Sequence, residues 1–353
     1  MEKINIGFIG CGKIAQKRHI PEASKNENVN IVAYCNRTVE KAEEMADMYG
    51  GSVYSNYQEI LNDSGIDAVV ISVANILHGE IAIEALKKGK HVLCEKPMAT
   101  TLEESIEMVK VSKDTGKVLN IAHNQRLKPI HLEAKKLIRD GAIGKVLTFS
   151  TIFGNKGPEE WSSTPGKDVW FFYEDAAGIG VMGDLGIHKI DLISYLLDEK
   201  VIEVMSMMET LDKKSSSGDF ISVDDNGVSI LKLSNNIMGT MSVSWTHYGA
   251  EDKSTIIYGK KGIMYIYDDP NNPLKVINSD GKTKIYKNSF VNVKEEELSS
   301  GVMDVFIKGI LNEEDTILSG EKILPAMRAV FASEESYQNK KLINIPENKR
   351  IKI

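Results

Sequence analysis

The sequence predicts two domains: a doubly wound α/β domain over residues 1–122, and an α+β domain with a mostly antiparallel sheet over residues 123–353. Three observations carry this. In the first part, short runs that are apolar on both faces alternate with amphipathic helical stretches, the signature of a parallel sheet covered on both sides. After about residue 123, strand-like segments follow one another with only short turns between them, which is antiparallel patterning. Finally, 353 residues are more than one compact core usually holds.

The elements follow in order. Ile4 to Ile9 is a short apolar strand, and a glycine turn leads from it into a helix beginning near Lys13. Val29 to Cys35 is a second strand, followed by a charged helix from about Val39 to Tyr49. Ala68 to Val73 reads as a fully buried strand, with its helix at Glu80 to Lys88. His91 to Cys94 and Val118 to Ala122 are further strands, separated by the helix Leu102 to Thr115. The second domain opens with a helix, Pro129 to Arg139, and an alternating strand, Val146 to Phe153. A polar loop containing Trp161 and Trp170 comes next, then a glycine-rich approach to Asp184 and a helix ending at Leu197. Strands are expected at Val201 to Met208, Val228 to Leu233, Met238 to Trp245, Thr255 to Tyr258 and Ile263 to Tyr267. The serine-rich stretch Lys213 to Asp219 is a solvated hairpin loop, and helices at Val302 to Leu311 and Leu324 to Tyr337 close the chain.

Composition removes several function classes. Hydrophobic residues make up 42% and charged residues 26%, as in ordinary soluble proteins. A formal net charge of -7 argues against a nucleic-acid partner, because phosphate backbones want a basic surface. No stretch approaches the roughly 18 apolar residues of a membrane span, and Met1-Glu2-Lys3 runs straight into a strand without a signal-peptide core. The three cysteines, Cys11, Cys35 and Cys94, each sit in or beside an apolar run, as buried thiols do in a reducing cytoplasm. Cys94 precedes Glu95 and Lys96 but reads as a small core residue at a strand end.

Gly10-x-Gly12-x-x-Ala15 lies directly after the first strand and opens a helix, where a dinucleotide fingerprint must lie. Gly10 permits the tight turn, Gly12 lets pyrophosphate approach the backbone, and Ala15 allows close helix–strand packing. The N–H groups of Lys13 and Ile14 begin the helix that faces the anion. At the end of the second strand, Cys35-Asn36-Arg37-Thr38 has no acid before Glu40. Asn36 can bond a ribose hydroxyl, and Arg37 with Thr38 can hold a 2′-phosphate, so NAD(P) is expected with NADP slightly favoured. The competing reading is a solvated Arg37 and NAD.

Lys96 follows a strand C-terminus, the edge of a parallel sheet where ligands bind, with Glu95 beside it to orient it and Pro97 to stiffen the turn. Asp184 and His188 stand four apart, so on a helix they share a face. There a carboxylate can fix an imidazole's orientation. An N-cap aspartate beside a packed histidine is the plainer alternative. No second histidine or cysteine stands at ligand spacing, so no metal site is expected. Trp161, Trp170 and Tyr173 can stack on a sugar face or fill the second core.

Together, the glycine turn, Val73-Ala74-Asn75-Ile76-Leu77-His78, Glu95-Lys96-Pro97 and the run Gly178 to Leu192 containing Asp184-Leu185-Gly186-Ile187-His188 resemble the glucose-fructose oxidoreductase/inositol dehydrogenase (Gfo/Idh/MocA) family over nearly the whole chain. The resemblance implies a Rossmann domain followed by a domain with a large open, mainly antiparallel sheet, whose exposed face builds dimers or tetramers in many members. It implies that Asn75, His78, Glu95 and Lys96 lie near the cofactor and that Lys96 also meets the reacting hydroxyl. It makes His188 the general acid/base and Asp184 a substrate-binding and orienting group. Asn124 and Arg126 fall at positions near the substrate, and the Lys96-Pro97 peptide is expected to be cis. Two departures stand out: Val-Ala-Asn where the family usually has Thr-Pro-Asn, and Gly178-Ile179-Gly180 in place of three glycines.

The expected activity is NAD(P)-linked oxidation or reduction at a secondary hydroxyl or carbonyl of a sugar, cyclitol or related polyol. The alternatives are an NAD-dependent glycoside hydrolase on the same scaffold and a nucleotide-sensing regulator without catalysis.

Overall fold

The structure is a computed structural model that describes residues 3–286 and 299–346. The chain divides into two compact units. One draws on Met1–Leu127, Asp175–Gly178 and Lys294–Leu324, the other on Lys128–Glu174, Ile179–Val293 and Pro325–Ile353.

The first unit is built on six parallel strands, β1 (Ile4–Ile9), β2 (Val29–Cys35), β3 (Ser52–Val53), β4 (Ala68–Ile71), β5 (His91–Cys94) and β6 (Leu119–Ile121). Their order across the sheet is β3-β2-β1-β4-β5-β6. That is the Rossmann order, and it reverses direction between β1 and β4, the place where open α/β sheets bind ligands. Every residue of β4 is buried, as its unbroken apolar run requires. Strand β4 stops at Ile71, two residues short of the sequence expectation, and the following helix starts at His78. The helix Leu102–Thr115 begins at Thr101, whose side chain accepts the Glu104 N–H at 3.2 Å, and ends at Gly116 in the left-handed region. The helix after the glycine turn passes through a π turn, Ala15–His19, just before Pro21. Proline cannot donate to the preceding turn, and a wider turn is one way to enter it without a break.

The helix Val302–Asn312 returns to this unit instead of remaining with the second domain. Val302, Met303, Phe306 and Ile307 bury their side chains in the same cluster as Phe8, Tyr34 and Val70. Burial of its apolar face decides where this helix packs.

The second unit holds a nine-stranded open sheet: β7 (Val146–Gly154), β8 (Val201–Glu209), β9 (Asn226–Leu233), β10 (Met238–Ser244), β11 (Thr255–Gly259), β12 (Gly262–Ile266), β13 (Leu274–Asn278), β14 (Thr283–Ile285) and β15 (Ile343–Asn344). The order is β14-β13-β12-β11-β7-β10-β9-β8-β15, antiparallel except for the parallel pair β7 and β10. Alternation along the strands gives it two faces. Val204, Leu231, Met241, Phe149 and Ile257 point into the core, while Met205, Met207, Val228 and Ile230 stand exposed on the other side. The serine-rich stretch forms the expected loop, closed by a bridge between Lys214 and Phe220. Among the described residues, no helix is long and apolar enough to cross a membrane.

Candidate active site

At the end of β1 the chain turns sharply. Gly10 has φ +97°, and a Cβ there would lie 2.3 Å from the Ser72 carbonyl oxygen, so both conformation and space demand glycine. The turn is held by the Gly10 N–H on the Cys35 oxygen at 2.8 Å and by the Ser72 hydroxyl on the Gly10 oxygen at 2.8 Å. Gly12 differs. A Cβ at this position meets no protein atom within 4 Å. Among the described residues, nothing around Gly12 requires a glycine there, and the position stands open at a helix start. Ala15 is fully buried, Lys13 is half-buried and Ile14 is exposed.

Asn36, expected to reach toward a ribose, is drawn into the turn. Its Oδ1 accepts the Cys11 N–H at 2.9 Å and its Nδ2 donates to the Thr38 oxygen at 2.8 Å. Arg37 and Thr38 beyond it are exposed.

After β4, Asn75 is buried and donates from Nδ2 to the Ala177 oxygen at 3.1 Å. His78 is buried too, with Nδ1 2.8 Å from the Pro97 oxygen and Nε2 3.3 Å from the Val73 oxygen. Burial outweighs the hydrogen bonds to Pro97 and Val73 and the charge of Glu95, and it holds the pKa of His78 below the ordinary imidazole value. A neutral ring donates once, and the shorter contact marks Nδ1 as the donor. In this arrangement His78 ties the segment after β4 to the Lys96-Pro97 turn, with both ring nitrogens turned to protein carbonyls.

That turn follows β5, and its Lys96-Pro97 peptide is cis. Glu95 lies against His19 of the π turn, with Nε2 to Oε1 at 2.7 Å, and its Oε2 accepts the Lys96 N–H at 3.1 Å. Burial raises the Glu95 pKa, but the His19 hydrogen bond and charge, with Lys96, outweigh it and keep the carboxyl below its usual range. Cys94 is buried, and burial raises its thiol well above the ordinary value, so it is a core residue. Asn124 and Arg126 begin the segment after β6. Arg126 is buried and spends Nη1 on the Ile317 oxygen at 2.6 Å and Nη2 on the Lys322 oxygen at 3.1 Å. It staples the 317–322 segment.

In the second unit, the polypeptide enters the Asp184 segment under tight constraint. Asp224 accepts the Gly180 N–H at 2.9 Å and the Met182 N–H at 2.8 Å, while its own carbonyl takes the Val181 N–H at 2.9 Å. A Cβ on Gly180 would stand 2.1 Å from that carbonyl, which is why this glycine stays although the middle one of the usual three has become Ile179. Met182–Gly186 forms a π turn that carries Asp184, and His188 follows in the helix Ile187–Leu197. The turn changes the simple four-residue spacing on which a shared α-helical face was expected. Asp184 is buried and receives the Trp245 indole N–H at 3.1 Å, and the His188 ring lies 6.0 Å from that of Phe153. The adjacent Lys189 is buried and donates to the Lys253 oxygen at 2.7 Å and to Thr255 Oγ1 at 3.2 Å, and burial lowers its pKa to about 7. Trp161 and Trp170 both pack on Phe171, at 5.0 and 3.7 Å between ring centres. Sequence reasoning missed His19, Lys189, Asp224 and Trp245. Only the paired acids Asp224-Asp225 ahead of an apolar strand gave any local signal. Among the described residues, no group of three or more His, Cys, Asp or Glu side chains is placed to hold a metal ion.

A parallel sheet in Rossmann order with a glycine turn at its switch point, and a lysine-bearing turn at the end of β5, define a dinucleotide-binding oxidoreductase scaffold. Comparison with known proteins identifies which one. A family model described as "Oxidoreductase family, NAD-binding Rossmann fold" matches residues 4–123, and one described as "GFO/IDH/MocA C-terminal domain" matches residues 131–265. The chain belongs to the Gfo/Idh/MocA oxidoreductase family. It is similar to levoglucosan dehydrogenase of Pseudarthrobacter phenanthrenivorans, with 30% identity over 297 residues, covering 76% of this chain and 75% of the relative. Inositol 2-dehydrogenase of Rhizobium meliloti is 26% identical over 346 residues, covering 97% of this chain and 99% of the relative. Among solved structures, levoglucosan dehydrogenase in complex with NADH and L-sorbose superposes with a TM-score of 0.86 at 25% identity, covering 99% of this chain and 100% of that one.

Proposed function

We propose that this oxidoreductase interconverts a secondary hydroxyl and a carbonyl on a sugar, cyclitol or related polyol, using a nicotinamide dinucleotide. The observation that carries the reading is the turn after β5, where Lys96 stands between a half-buried carboxylate, Glu95, and a peptide braced by His78, on the same sheet as the glycine turn. The relatives named for levoglucosan and inositol supply the substrate class. When bound, the nicotinamide supplies the hydride acceptor or donor. The protein's own part is acid–base chemistry: Lys96 binds the reacting oxygen, His188 holds or gives up its proton, and Asp184 orients the substrate. The aromatic group Trp161, Phe171 and Trp170 supports recognition of an apolar sugar face.

We place the pyrophosphate at Gly10, Gly12 and the N–H groups of Lys13 and Ile14. NADP is the favoured dinucleotide, because Arg37 and Thr38 are exposed at the end of β2 with no acid beside them. A cytoplasmic, reducing setting fits three free cysteines that are all buried. The exposed apolar face of the nine-stranded sheet supports assembly as a homodimer or homotetramer.

The test is a titration with NADH and NADPH, followed by nicotinamide fluorescence, and then a turnover assay over a panel of sugars and polyols. Tighter binding of NADPH and NADP-linked turnover of a polyol are expected. Tight NADH with weak NADPH overturns the role given to Arg37. A tightly held cofactor with glycoside cleavage and no net reduction shifts the reading to a hydrolase.

A further inference from the structure

We infer that His19 is a positioning residue for Lys96, acting through the Glu95 carboxylate. The inference rests on the reading of Lys96 given above. His19 is only 2% exposed, and it lies in the π turn of the helix that starts at the dinucleotide fingerprint. Its Nε2 meets Glu95 Oε1 at 2.7 Å, and the carboxylate's other oxygen takes the Lys96 N–H at 3.1 Å. Glu95 is ionised, held so by His19 and Lys96 against the pull of burial, and a carboxylate accepts only, so Nε2 carries the proton between them. The same helix thus carries the fingerprint at its start and, within its π turn, a clamp on the backbone of the reacting lysine.

A purely structural tie is a poor account of this pair. Burying a carboxylate and an imidazole costs desolvation, and apolar side chains of similar volume serve stability as well or better. What an apolar pair does not supply is a fixed acceptor for the Lys96 N–H and a negative charge beside its side chain. Both limit where the lysine stands. The π turn fits the same purpose, since such turns concentrate at functional sites.

The experiment is a double-mutant cycle in the full-length protein with His19→Leu and Glu95→Gln, joined by His19→Gln, read by kcat, substrate KM, NADH affinity and melting temperature. His19→Leu is expected to lower kcat by about ten- to a hundredfold, with KM and NADH affinity within about threefold of the unmodified protein. Glu95→Gln does the same, and the double variant is no slower than the slower single, because both break one path. His19→Gln, whose amide can still donate to Glu95, recovers most of the rate. Additive losses in the cycle, an unchanged kcat in His19→Leu, or a fall in NADH affinity equal to that in kcat each overturn the inference. If His19→Leu does not fold, the split between kcat and KM in His19→Gln and Glu95→Gln decides alone. Absence of turnover in the unmodified protein with every polyol would instead refute the function on which this inference rests, and is read before any variant.

Discussion

Asp224 grips Met182: its Oδ2 accepts the Met182 N–H at 2.8 Å while its Oδ1 takes the Gly180 N–H at 2.9 Å, two residues upstream. One side chain therefore satisfies two of the donors at the start of the π turn that carries Asp184. Burial drives the carboxyl pKa up to about 6, more than these hydrogen bonds lower it, and Glu334 adds to the rise. Because the folded pKa exceeds the unfolded one, the folded state binds more protons between about pH 4 and about pH 6, and stability falls as pH rises across that window. Asp224→Asn removes this titration and, having one acceptor oxygen instead of two, carries a constant loss at every pH. Melting curves should show the advantage of the unmodified protein over Asp224→Asn shrinking from pH 4 to pH 6 and flat above it. An advantage that grows with pH would show Asp224 to be an ordinary, stabilised carboxylate.

Gly10 and Gly12 make opposite predictions although both belong to one motif. Gly10→Ala meets the Ser72 carbonyl at 2.3 Å in a backbone conformation that favours glycine, so it costs about 3 kcal/mol or more and lowers the melting temperature by several degrees. Gly12→Ala meets no described atom within 4 Å, so it melts with the unmodified protein; with the pyrophosphate where we propose it, the added methyl lowers nucleotide affinity by about tenfold or more. Equal nucleotide affinity in Gly12→Ala would refute the pyrophosphate assignment.

The sheet face yields a third prediction. Met205 lies opposite Ile230 and Met207 opposite Val228 in adjacent strands, and Met207 is 73% exposed. Cross-strand apolar pairs in contact on an open face are the pattern of an interface. If this face builds the proposed homo-oligomer, Val228→Lys should dissociate it, with light scattering reporting the monomer mass and circular dichroism unchanged. A monomeric unmodified protein removes the interface reading.

Much of this was legible in the chain, for identifiable reasons. Ala68-Val69-Val70-Ile71 announces a buried parallel strand by composition alone, and Thr101 with Gly116 brackets a helix by capping chemistry. Ser52–Val53 and Ile343–Asn344 escaped because two residues carry no period. Leu274–Asn278 and Thr283–Ile285 extend the sheet only through pairing with neighbours. The site divided in the same way. Gly10, Gly12 and the Glu95-Lys96-Pro97 turn are local words, whereas His19 reaches Glu95 across 76 positions and Trp245 reaches Asp184 across 61. Such pairs exist only once the fold has formed, and Arg126 and Asn36, legible as polar residues, turned inward to serve the backbone.

Lys96→Met tests the lysine directly. Methionine keeps the length and apolar stem but offers no proton and no charge, so turnover should fall by about a thousandfold. The Glu95 hydrogen bond is to the Lys96 backbone N–H and survives the change, so NADH affinity should hold within about tenfold. Stopped-flow turnover with fluorescence titration separates the two quantities. Retained turnover would remove Lys96 from the chemistry.

Trp245→Phe probes the other reacting segment. Phenylalanine retains a ring against Phe172, whose centre lies 6.1 Å from that of Trp245, but it lacks the N–H that reaches Asp184. Asp184 is buried, so losing that donor costs about 1–3 kcal/mol of stability, the penalty of a buried polar atom with one bond fewer. If Asp184 orients substrate, removing that donor should also raise substrate KM and lower kcat by about tenfold together, while NADH affinity, set in the other unit, stays put. A loss of stability with unchanged kinetics would make Asp184 a structural acid and leave His188 to be tested by itself.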